Sequence, residues 1–262
     1  MKARIDDIEL GYTDEGRGNP VVLIHGFPLN RNMWDPQIKA LSSDYRVIAP
    51  DLRGHGESEG PPGPYLMEVH AYDVRRLLDH LNIDQAVIAG FSMGGYATFA
   101  FYRLYPGRVK ALILADTRPQ ADSPEAKQGR MDLAGVARKE GAGAIADRLI
   151  PRLLTQSSVE TRKDLVDNVR RMITSTPVVG IAGDLMGLAE RADSVSTMDT
   201  ISCPTLVIVG EQDALTPLPD SQLMAQKIKG AKLETIPNAA HLSNMEQPEV
   251  FNSAMRSFFS SL

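Results

Sequence analysis

Short apolar runs separated by helical patterns constrain the fold of this chain more than any other feature. Strands of a parallel sheet are covered by helices on both faces, so they read as nearly continuous apolar runs. Between these runs, apolar residues in 66–81 follow the three-and-four spacing of an amphipathic helix. This alternation predicts an α/β protein with a mostly parallel sheet and helices on both faces. The apolar runs are 21–24, 46–49, 86–89, 110–114 and 205–209, and residues 5–12 are predicted as an edge strand.

The alternation stops in the middle of the chain. Between residues 118 and 199 no segment has the pattern of a buried strand, and several segments are typical of helices. One of these begins at Ser123, with a serine cap followed by a first-turn proline. We therefore predict three parts: a first core segment over 1–117, a helical lid over 118–199, and a second core segment over 200–262. A helical excursion that only packs on the core is the alternative to a lid.

Charge and hydropathy exclude several classes of partner. The formal net charge is −5, which argues against binding of nucleic acid or of an anionic membrane surface. No apolar run approaches about 18 residues, and the first residues turn acidic where a signal peptide would turn apolar. A cytoplasmic location is expected.

The single cysteine, Cys203, excludes an intrachain disulfide and a cysteine-based metal site, and we expect it to be a small buried hydrophobe.

Ser92 is the candidate nucleophile. It lies between an apolar strand pattern and a helical pattern, and Gly90 and Gly94 flank it at both second neighbours. A strand that enters a helix through so tight a turn strains the serine backbone and requires small neighbours. Such a turn exposes the hydroxyl beside free backbone N–H groups at a helix N-terminus. The sequence therefore predicts a serine suited to attack a carbonyl carbon.

A serine nucleophile needs a base and an acid that supports the base. His241 follows the predicted strand 232–236, and Asp213 follows the strand 205–209. Both lie at carboxyl ends of strands, where open α/β sheets bind ligands. The chain order Ser92, Asp213, His241 is that of nucleophile-elbow hydrolases. Asp116, also at a strand end, is the rival acid, and we interpret it as a loop or lid-hinge residue.

The oxyanion of acyl transfer needs two backbone donors. Met93, the residue after the nucleophile, supplies one amide. We expect Phe27 to supply the other, because Gly26 allows a close backbone turn after strand 21–24 and Pro28 stiffens it. A simple strand-ending turn is the alternative for this second segment.

The remaining polar candidates are interpreted as structural groups. His25 and His55 precede glycines, and we expect them to be turn and hydrogen-bond residues. His70 and His80 fall in a helical pattern beside charged residues, and we expect both on the surface. Asp184 and Glu211 are expected to face solvent. Trp34, the only tryptophan, either lines the substrate pocket or packs in the core.

Taken together, five motifs in this order resemble the α/β-hydrolase superfamily. The resemblance covers the chain outside 118–199 and implies the α/β-hydrolase fold, in which the first motif carries the oxyanion donor and the last three carry Ser, Asp and His. The subgroup looks like small-lid serine esterases, enol-lactonases and cofactor-free haloperoxidases or perhydrolases. Epoxide hydrolases and haloalkane dehalogenases have an aspartate at the elbow, where this chain has Ser92. The motifs are 25–28 (HGFP), 51–58 (DLRGHGES), 90–95 (GFSMGG), 210–213 (GEQD) and His241.

The expected activity is hydrolysis of a small carboxylic ester or lactone through an acyl-enzyme, with no metal and no organic cofactor. Two alternatives stay open at this point. One is a carbon–carbon bond hydrolase of the ring-cleavage type, which shares the same residues and a helical lid. The other is a ligand-binding sensor with little catalysis. The sequence decides neither the physiological substrate nor the oligomeric state, because residues that face a pocket are not separable from those that face the core.

Overall fold

A computed structural model describes residues 1–262. Eight strands and twelve helices follow one another along the chain, with short 3-10 turns at Arg31–Trp34 and Pro106–Arg108. The strands are β1 (Lys2–Ile5), β2 (Ile8–Glu15), β3 (Pro20–Ile24), β4 (Arg46–Pro50), β5 (Ala86–Phe91), β6 (Val109–Ala115), β7 (Thr205–Gly210) and β8 (Lys232–Ile236). The helices are α1 (Asp35–Leu41), α2 (Met67–His80), α3 (Met93–Leu104), α4 (Pro124–Glu140), α5 (Ala142–Leu153), α6 (Gln156–Thr161), α7 (Lys163–Ser175), α8 (Val178–Ala189), α9 (Val195–Met198), α10 (Leu218–Lys227), α11 (Ser243–Glu246) and α12 (Pro248–Phe259).

All eight strands form one sheet in the order β1-β2-β4-β3-β5-β6-β7-β8. The β1–β2 and β2–β4 pairs are antiparallel, and every pair from β4 to β8 is parallel. The predicted α/β class with a mostly parallel sheet is thus confirmed. Because parallel strands end at a common edge, the residues that follow β5, β6, β7 and β8 meet on one side of the molecule.

Each central strand contributes to two separate cores. Along β3, Val21 and Leu23 belong to one buried cluster, whereas Val22 and Ile24 belong to the other. The first cluster contains residues of α1, α4, α5, α7, α8 and α12, and the second contains residues of α2, α3 and α10. Alternate side chains of a strand point to opposite faces, so a strand buried on both faces has no polar side. This accounts for the unbroken apolar runs.

The amino-terminal segment differs from the prediction of a single edge strand. It forms a hairpin in which Ile5 of β1 pairs with Ile8 of β2. Asp6 lies in the turn with φ of 47°, a left-handed conformation that aspartate tolerates better than most residues. The alternation of apolar and acidic residues identified extended structure, but not the reversal of direction within it.

Residues between β6 and β7 contain six helices and no strand, as the sequence predicts. Ser123 caps α4 by accepting a hydrogen bond from the amide of Ala126, and Pro124 occupies the first turn. The two chain segments that enter and leave this helical part are bonded to each other. The amide of Ser194 donates to Pro119 O, and the amide of Ala121 donates to Asp193 Oδ2.

Two polar residues predicted at the surface are buried instead. His70 of α2 and Asp184 of α8 are fully buried, and His70 Nε2 lies 2.8 Å from Asp184 Oδ1. His55 Nε2 lies 3.2 Å from the second carboxylate oxygen. Burial raises the pKa of Asp184 to about 7 and lowers that of His70 to about 4. This contact joins the helical part to the core, and the expectation that both side chains face solvent was wrong.

The smaller expectations for polar and sulfur side chains had mixed outcomes. His80 and Glu211 are exposed, as predicted. Cys203 is only partly buried, at the margin of the core cluster that contains α3, so the expectation of a buried residue was too strong. Burial raises the pKa of its thiol to about 11.

A helix that spans a membrane must be both long and apolar. No single helix meets both requirements. Helices α7 and α8 meet them only when joined, and they form a 90° bend.

Helix α3 packs close to the sheet because the contact positions on both sides are glycines, Gly94 in α3 and Gly90 in β5. A Cβ on Gly94 would lie 2.3 Å from the carbonyl oxygen of Ile24, and a Cβ on Gly90 would lie 2.2 Å from the carbonyl oxygen of Gly94. Both positions therefore exclude any side chain without movement of backbone atoms. This requirement explains the two glycines around Ser92 more directly than backbone flexibility does.

We predict that Gly94→Ala lowers the free energy of unfolding by about 1–3 kcal/mol or more, because the added methyl group forces backbone atoms of β3 away from α3. Urea denaturation measures this change. Gly135→Ala is the matched control: Gly135 lies within α4, and no atom lies within 4 Å of its added Cβ. That control is expected to raise stability by up to about 1 kcal/mol. Equal effects of the two substitutions would contradict the packing argument.

Candidate active site

Ser92 occupies a strained turn between β5 and α3. Its φ of 52° and ψ of −113° lie outside the regions that a residue with a side chain normally adopts. Hydrogen bonds fix this conformation: the amide of Ser92 donates to Ala115 O, and Thr117 Oγ1 donates to Ser92 O. Its side chain is partly accessible, whereas the residues on either side are buried. The turn therefore presents the hydroxyl at the sheet edge.

Ser92, His241 and Asp213 form a continuous hydrogen-bonded chain. Ser92 Oγ lies 2.8 Å from His241 Nε2, and His241 Nδ1 lies 2.8 Å from Asp213 Oδ2. An ionised carboxylate only accepts hydrogen bonds, so His241 carries its proton on Nδ1 and can accept at Nε2. The structure thus brings together three residues that are 121 and 28 positions apart in sequence, each at the carboxyl end of its strand.

Asp213 is surrounded by donors. Its Oδ1 accepts from the amides of Leu215 and Thr216, and its Oδ2 accepts from Thr216 Oγ1 as well as from His241. Burial alone would raise the pKa of this carboxyl. The charge of His241 and the hydrogen bonds from His241 and Thr216 outweigh burial and hold the pKa below its ordinary value. Asp213 is therefore an anion against the imidazole at neutral pH.

Asp116, the rival acid, has a different environment. It is fully buried at the end of β6, where Oδ1 accepts from the amide of Gly210 and Oδ2 bonds to Ser243 Oγ. Burial, reinforced by the charge of Asp213, raises its pKa well above the ordinary value. It makes no hydrogen bond to His241. The interpretation as a loop or hinge residue understated its position, because Asp116 lies beneath the segment that carries His241.

Asp116, Asp213 and His241 also place ligand-type atoms within 4.8 Å of one another. Such a group can suit a metal ion when its lone pairs are free. Here all four carboxylate oxygens already accept hydrogen bonds from protein donors. Protein hydrogen bonds therefore already satisfy both carboxyl groups beside the imidazole of His241.

Two amides beside Ser92 have no partner within the protein. These are the N–H groups of Phe27, in the turn after β3, and of Met93, the first residue of α3. Gly26 brings the Phe27 turn against the elbow: a Cβ at this position would lie 2.9 Å from the ring of Phe91 and 3.3 Å from Ser92 Cβ. The peptide bond between Phe27 and Pro28 is cis.

His25 supports this turn through its hydrogen bonds, and the ring of His55 packs beside it with centroids 5.1 Å apart. His25 Nδ1 lies 3.0 Å from Gly26 O, and the amide of Leu52 donates to His25 Nε2. These partners require a neutral ring with the proton on Nδ1. His55 bonds through Nδ1 to Arg53 O. The prediction of turn and hydrogen-bond roles is confirmed for both, and burial lowers the pKa of His25 to about 3.

Trp34 belongs to the core. It is fully buried, its ring makes an edge contact with Phe91, and it packs beside Phe251. It does not line the cavity that contains Ser92. Of the two interpretations of Trp34 from the sequence, the structure agrees with packing behind the elbow.

A cavity of about 480 Å³ opens over Ser92 and His241. Its floor is formed by residues of the elbow and by the turn at Phe27. Helices α4, α5 and α8 supply much of its wall, including Leu133, Leu149 and Leu188. Four charged side chains also line it, namely Arg118, Asp122, Arg130 and Arg152. None of these four side chains was predicted from the sequence to line a cavity.

Glu246 is a further functional candidate that the sequence analysis missed. Its buried carboxylate accepts from the amide and hydroxyl of Thr155 through Oε1, and from the amide of Ala240 through Oε2. It therefore joins the N-cap residue of α6 to the loop that carries His241. Beside it, the amide of Leu242 donates to Leu153 O. A glutamate near His241 was visible in the sequence, but its partner lies 91 positions away.

Comparison with known proteins agrees with this geometry. Residues 19–248 match the family model described as the alpha/beta hydrolase fold. The 3-oxoadipate enol-lactonase 2 of Acinetobacter baylyi is 36% identical over 251 residues, which cover 95% of this chain and 92% of the enzyme.

Two solved structures of hydrolases are also similar to this chain. A thermophilic esterase from Thermogutta terrifontis, in a malate-bound structure, has a TM-score of 0.97 and 44% identity, and the match covers 100% of this chain and 98% of that one. The enol-lactonase from Burkholderia xenovorans has a TM-score of 0.92 and 32% identity, with 99% and 100% covered.

His25 gives a prediction about pH. Its pKa is about 3 in the folded state against 6.5 ordinarily, so between these values the unfolded chain takes up a proton that the folded chain excludes. The stability contributed by His25 is therefore present above about pH 6.5 and is lost as the pH falls. We expect the stability difference between wild type and His25→Gln to shrink by about 2 kcal/mol from pH 7 to pH 5 in urea denaturation. The exposed His80→Gln serves as control. A difference independent of pH would show that His25 titrates alike in both states.

Proposed function

Because the chain belongs to the α/β-hydrolase family, we propose that it is a serine hydrolase that cleaves small carboxylic esters or lactones through an acyl-enzyme. The observation that carries the proposal is the hydrogen-bonded chain from Ser92 Oγ through His241 to Asp213, with 2.8 Å at each step. The names of relatives, an enol-lactonase at 36% identity and an esterase at 44%, support the ester or lactone class.

The proposed first step is acylation. Ser92 Oγ attacks the carbonyl carbon while its proton moves to His241 Nε2, which is its hydrogen-bond acceptor. Asp213 stabilises the imidazolium that forms, because it already accepts from Nδ1 as an anion. His241 then gives the proton to the leaving alkoxide oxygen as the carbon–oxygen bond breaks. From a lactone the alcohol stays attached to the acyl group, and from an ester it departs.

The second step releases the acid. A water molecule that enters from the cavity gives a proton to His241 Nε2 and attacks the acyl carbon. The second tetrahedral intermediate breaks the bond to Ser92 Oγ, which recovers its proton from His241. The products are a carboxylic acid and the regenerated serine, so atoms and charge balance without a cofactor.

We propose that Phe27 and Met93 form the oxyanion hole. Their amides have no partner in the protein and flank the elbow, so they are available to the oxygen that becomes negative in each tetrahedral intermediate. Backbone donors fixed in this way are worth about 3–4 kcal/mol in the transition state.

The segment over 118–199 is proposed as the lid, with 1–117 and 200–262 as the core, because its helices line one side of the cavity. A cytoplasmic location remains a prediction.

A substrate panel separates this function from the two alternatives. Hydrolysis of simple esters or lactones fits the proposal, whereas activity on vinylogous diketones alone would favour a carbon–carbon bond hydrolase. A sensor would bind small ligands with very slow turnover, and ligand would change the protection of the helical lid from hydrogen exchange.

Ser92→Ala is expected to lower kcat on p-nitrophenyl acetate by roughly 10⁴-fold or more, because no other hydroxyl bonds to His241 Nε2. Steady-state release of p-nitrophenol measures the rate. Ser221→Ala is the matched control, since Ser221 is a buried serine of α10 that does not line the cavity. Full activity of the Ser92 variant would exclude a serine mechanism.

Asp213→Asn is expected to lower kcat by about 10⁴-fold, because the amide no longer fixes the productive tautomer of His241. Asp116→Asn is expected to stay within about tenfold of wild type, since burial already favours the neutral carboxyl that asparagine imitates. The same ester assay compares the two variants. If the losses were reversed, Asp116 would be the acid.

A further inference from the structure

The charge of the cavity is opposite to that of the protein. Three arginines and one aspartate line it, so its fixed charge is +2, whereas the whole chain carries −5. The remaining wall is largely apolar. Excess charge of one sign in a recess with low-dielectric walls attracts a ligand of the other sign. The cavity is therefore suited to an anion.

Asp122 holds two of the three arginines but cannot neutralise them. Arg118 Nη2 lies 3.1 Å from Asp122 Oδ1, and Arg130 Nε lies 3.1 Å from Oδ2. A third guanidinium, that of Arg191, lies behind them with Nη1 2.7 Å from the same carboxylate. One carboxylate thus faces three cations. The Nε of Arg118 is buried and has no partner.

Arg152 is exposed, lines the cavity, and has no ion-pair or hydrogen-bond partner in the protein. It lies in the last turn of α5, one residue before Leu153, whose carbonyl oxygen accepts from the amide of Leu242. That bond attaches the end of α5 to the residue after His241. The unpaired cation therefore lies at the end of a helix that is hydrogen-bonded to the segment of the proposed base.

Ion pairs that stabilise the fold explain only part of this cluster. Arg191 has that role: it pairs with Asp122, donates to Gln120 O, and lies over the ring of Tyr96 at 4.2 Å, but it does not line the cavity. Asp122 accordingly has a structural partner already. Because the single carboxylate of Asp122 is shared with Arg118 and Arg130, positive charge is left over at the cavity wall, and Arg152 adds to it.

We propose that Arg152, with Arg118 and Arg130, forms a carboxylate subsite, so that the substrate is a small ester or lactone that also carries a free carboxylate. This inference rests on the proposed function. The planar guanidinium matches a carboxylate through two parallel hydrogen bonds, and it is more weakly hydrated than an ammonium group. With the carboxylate bound by these arginines and the scissile carbonyl at Ser92, the substrate is held at two points, which favours the reactive geometry.

A matched pair of substrates tests the subsite. The p-nitrophenyl half-ester of glutaric acid has a free carboxylate, and its methyl ester has the same acyl chain without the charge. We expect wild type to prefer the charged ester in kcat/KM, and Arg152→Gln to lower the ratio of charged to methylated ester by about 10-fold or more. Arg152→Lys should retain part of the preference. Arg148→Gln is the control, because Arg148 lies one turn earlier on α5 and is exposed like Arg152, but it pairs with Glu140 and does not line the cavity.

A binding measurement separates failure of the subsite from failure of the proposed function. Isothermal titration of glutarate and of monomethyl glutarate into Ser92→Ala needs no turnover. Tighter binding of glutarate, lost when Arg152→Gln is added, supports the subsite even if neither ester is cleaved. Lack of cleavage of both esters would count against the hydrolase alone. Equal rates and equal binding for the charged and methylated compounds, unchanged by Arg152→Gln, would overturn the subsite.

Discussion

The close approach of α3 to β3 and β5 is the contact on which the site depends. Gly94 lies against the carbonyl oxygen of Ile24, so the chain must turn from strand to helix within a single residue, Ser92. The strain at Ser92 follows from this short turn, and so does the free amide of Met93, which has no preceding helical turn to donate into. Gly26 then allows the Phe27 turn to lie against the elbow. One packing constraint therefore fixes Ser92 and both free amides together.

Features with a short sequence period could be predicted from the sequence. Apolar runs identified β3 to β7 because burial on two faces leaves no polar position, and the cap at Ser123 identified the start of α4. The parallel order of the strands also predicted that Asp213 and His241 meet at one edge. The hairpin of β1 and β2 was not predictable in the same way, because a turn at Asp6 needs only one residue in the left-handed region.

Long-range pairing of polar groups lay beyond the sequence patterns. His70 and Asp184 look like surface residues of two helices, and each is buried only because the other is present 114 positions away. The same holds for Asp122 with Arg191, and for Glu246 with Thr155. Burial of a polar side chain costs free energy unless a partner satisfies it, so the partner decides the environment. A pattern read along one helix contains no information about a partner on another.

Two carboxyls near one imidazole show how the environment divides chemical roles between similar positions. Asp116 and Asp213 both follow central strands and lie within 4.8 Å of His241. Donors surround Asp213 on both oxygens, and its pKa is lowered despite burial. Asp116 has fewer donors and faces the negative charge of Asp213, so its pKa is raised. When two carboxyls lie close together in a buried site, the charge of one raises the free-energy cost of ionising the other. His241 is the main group that lowers the pKa of Asp213, and the turn at Thr216 adds an amide and a hydroxyl that favour the same anion.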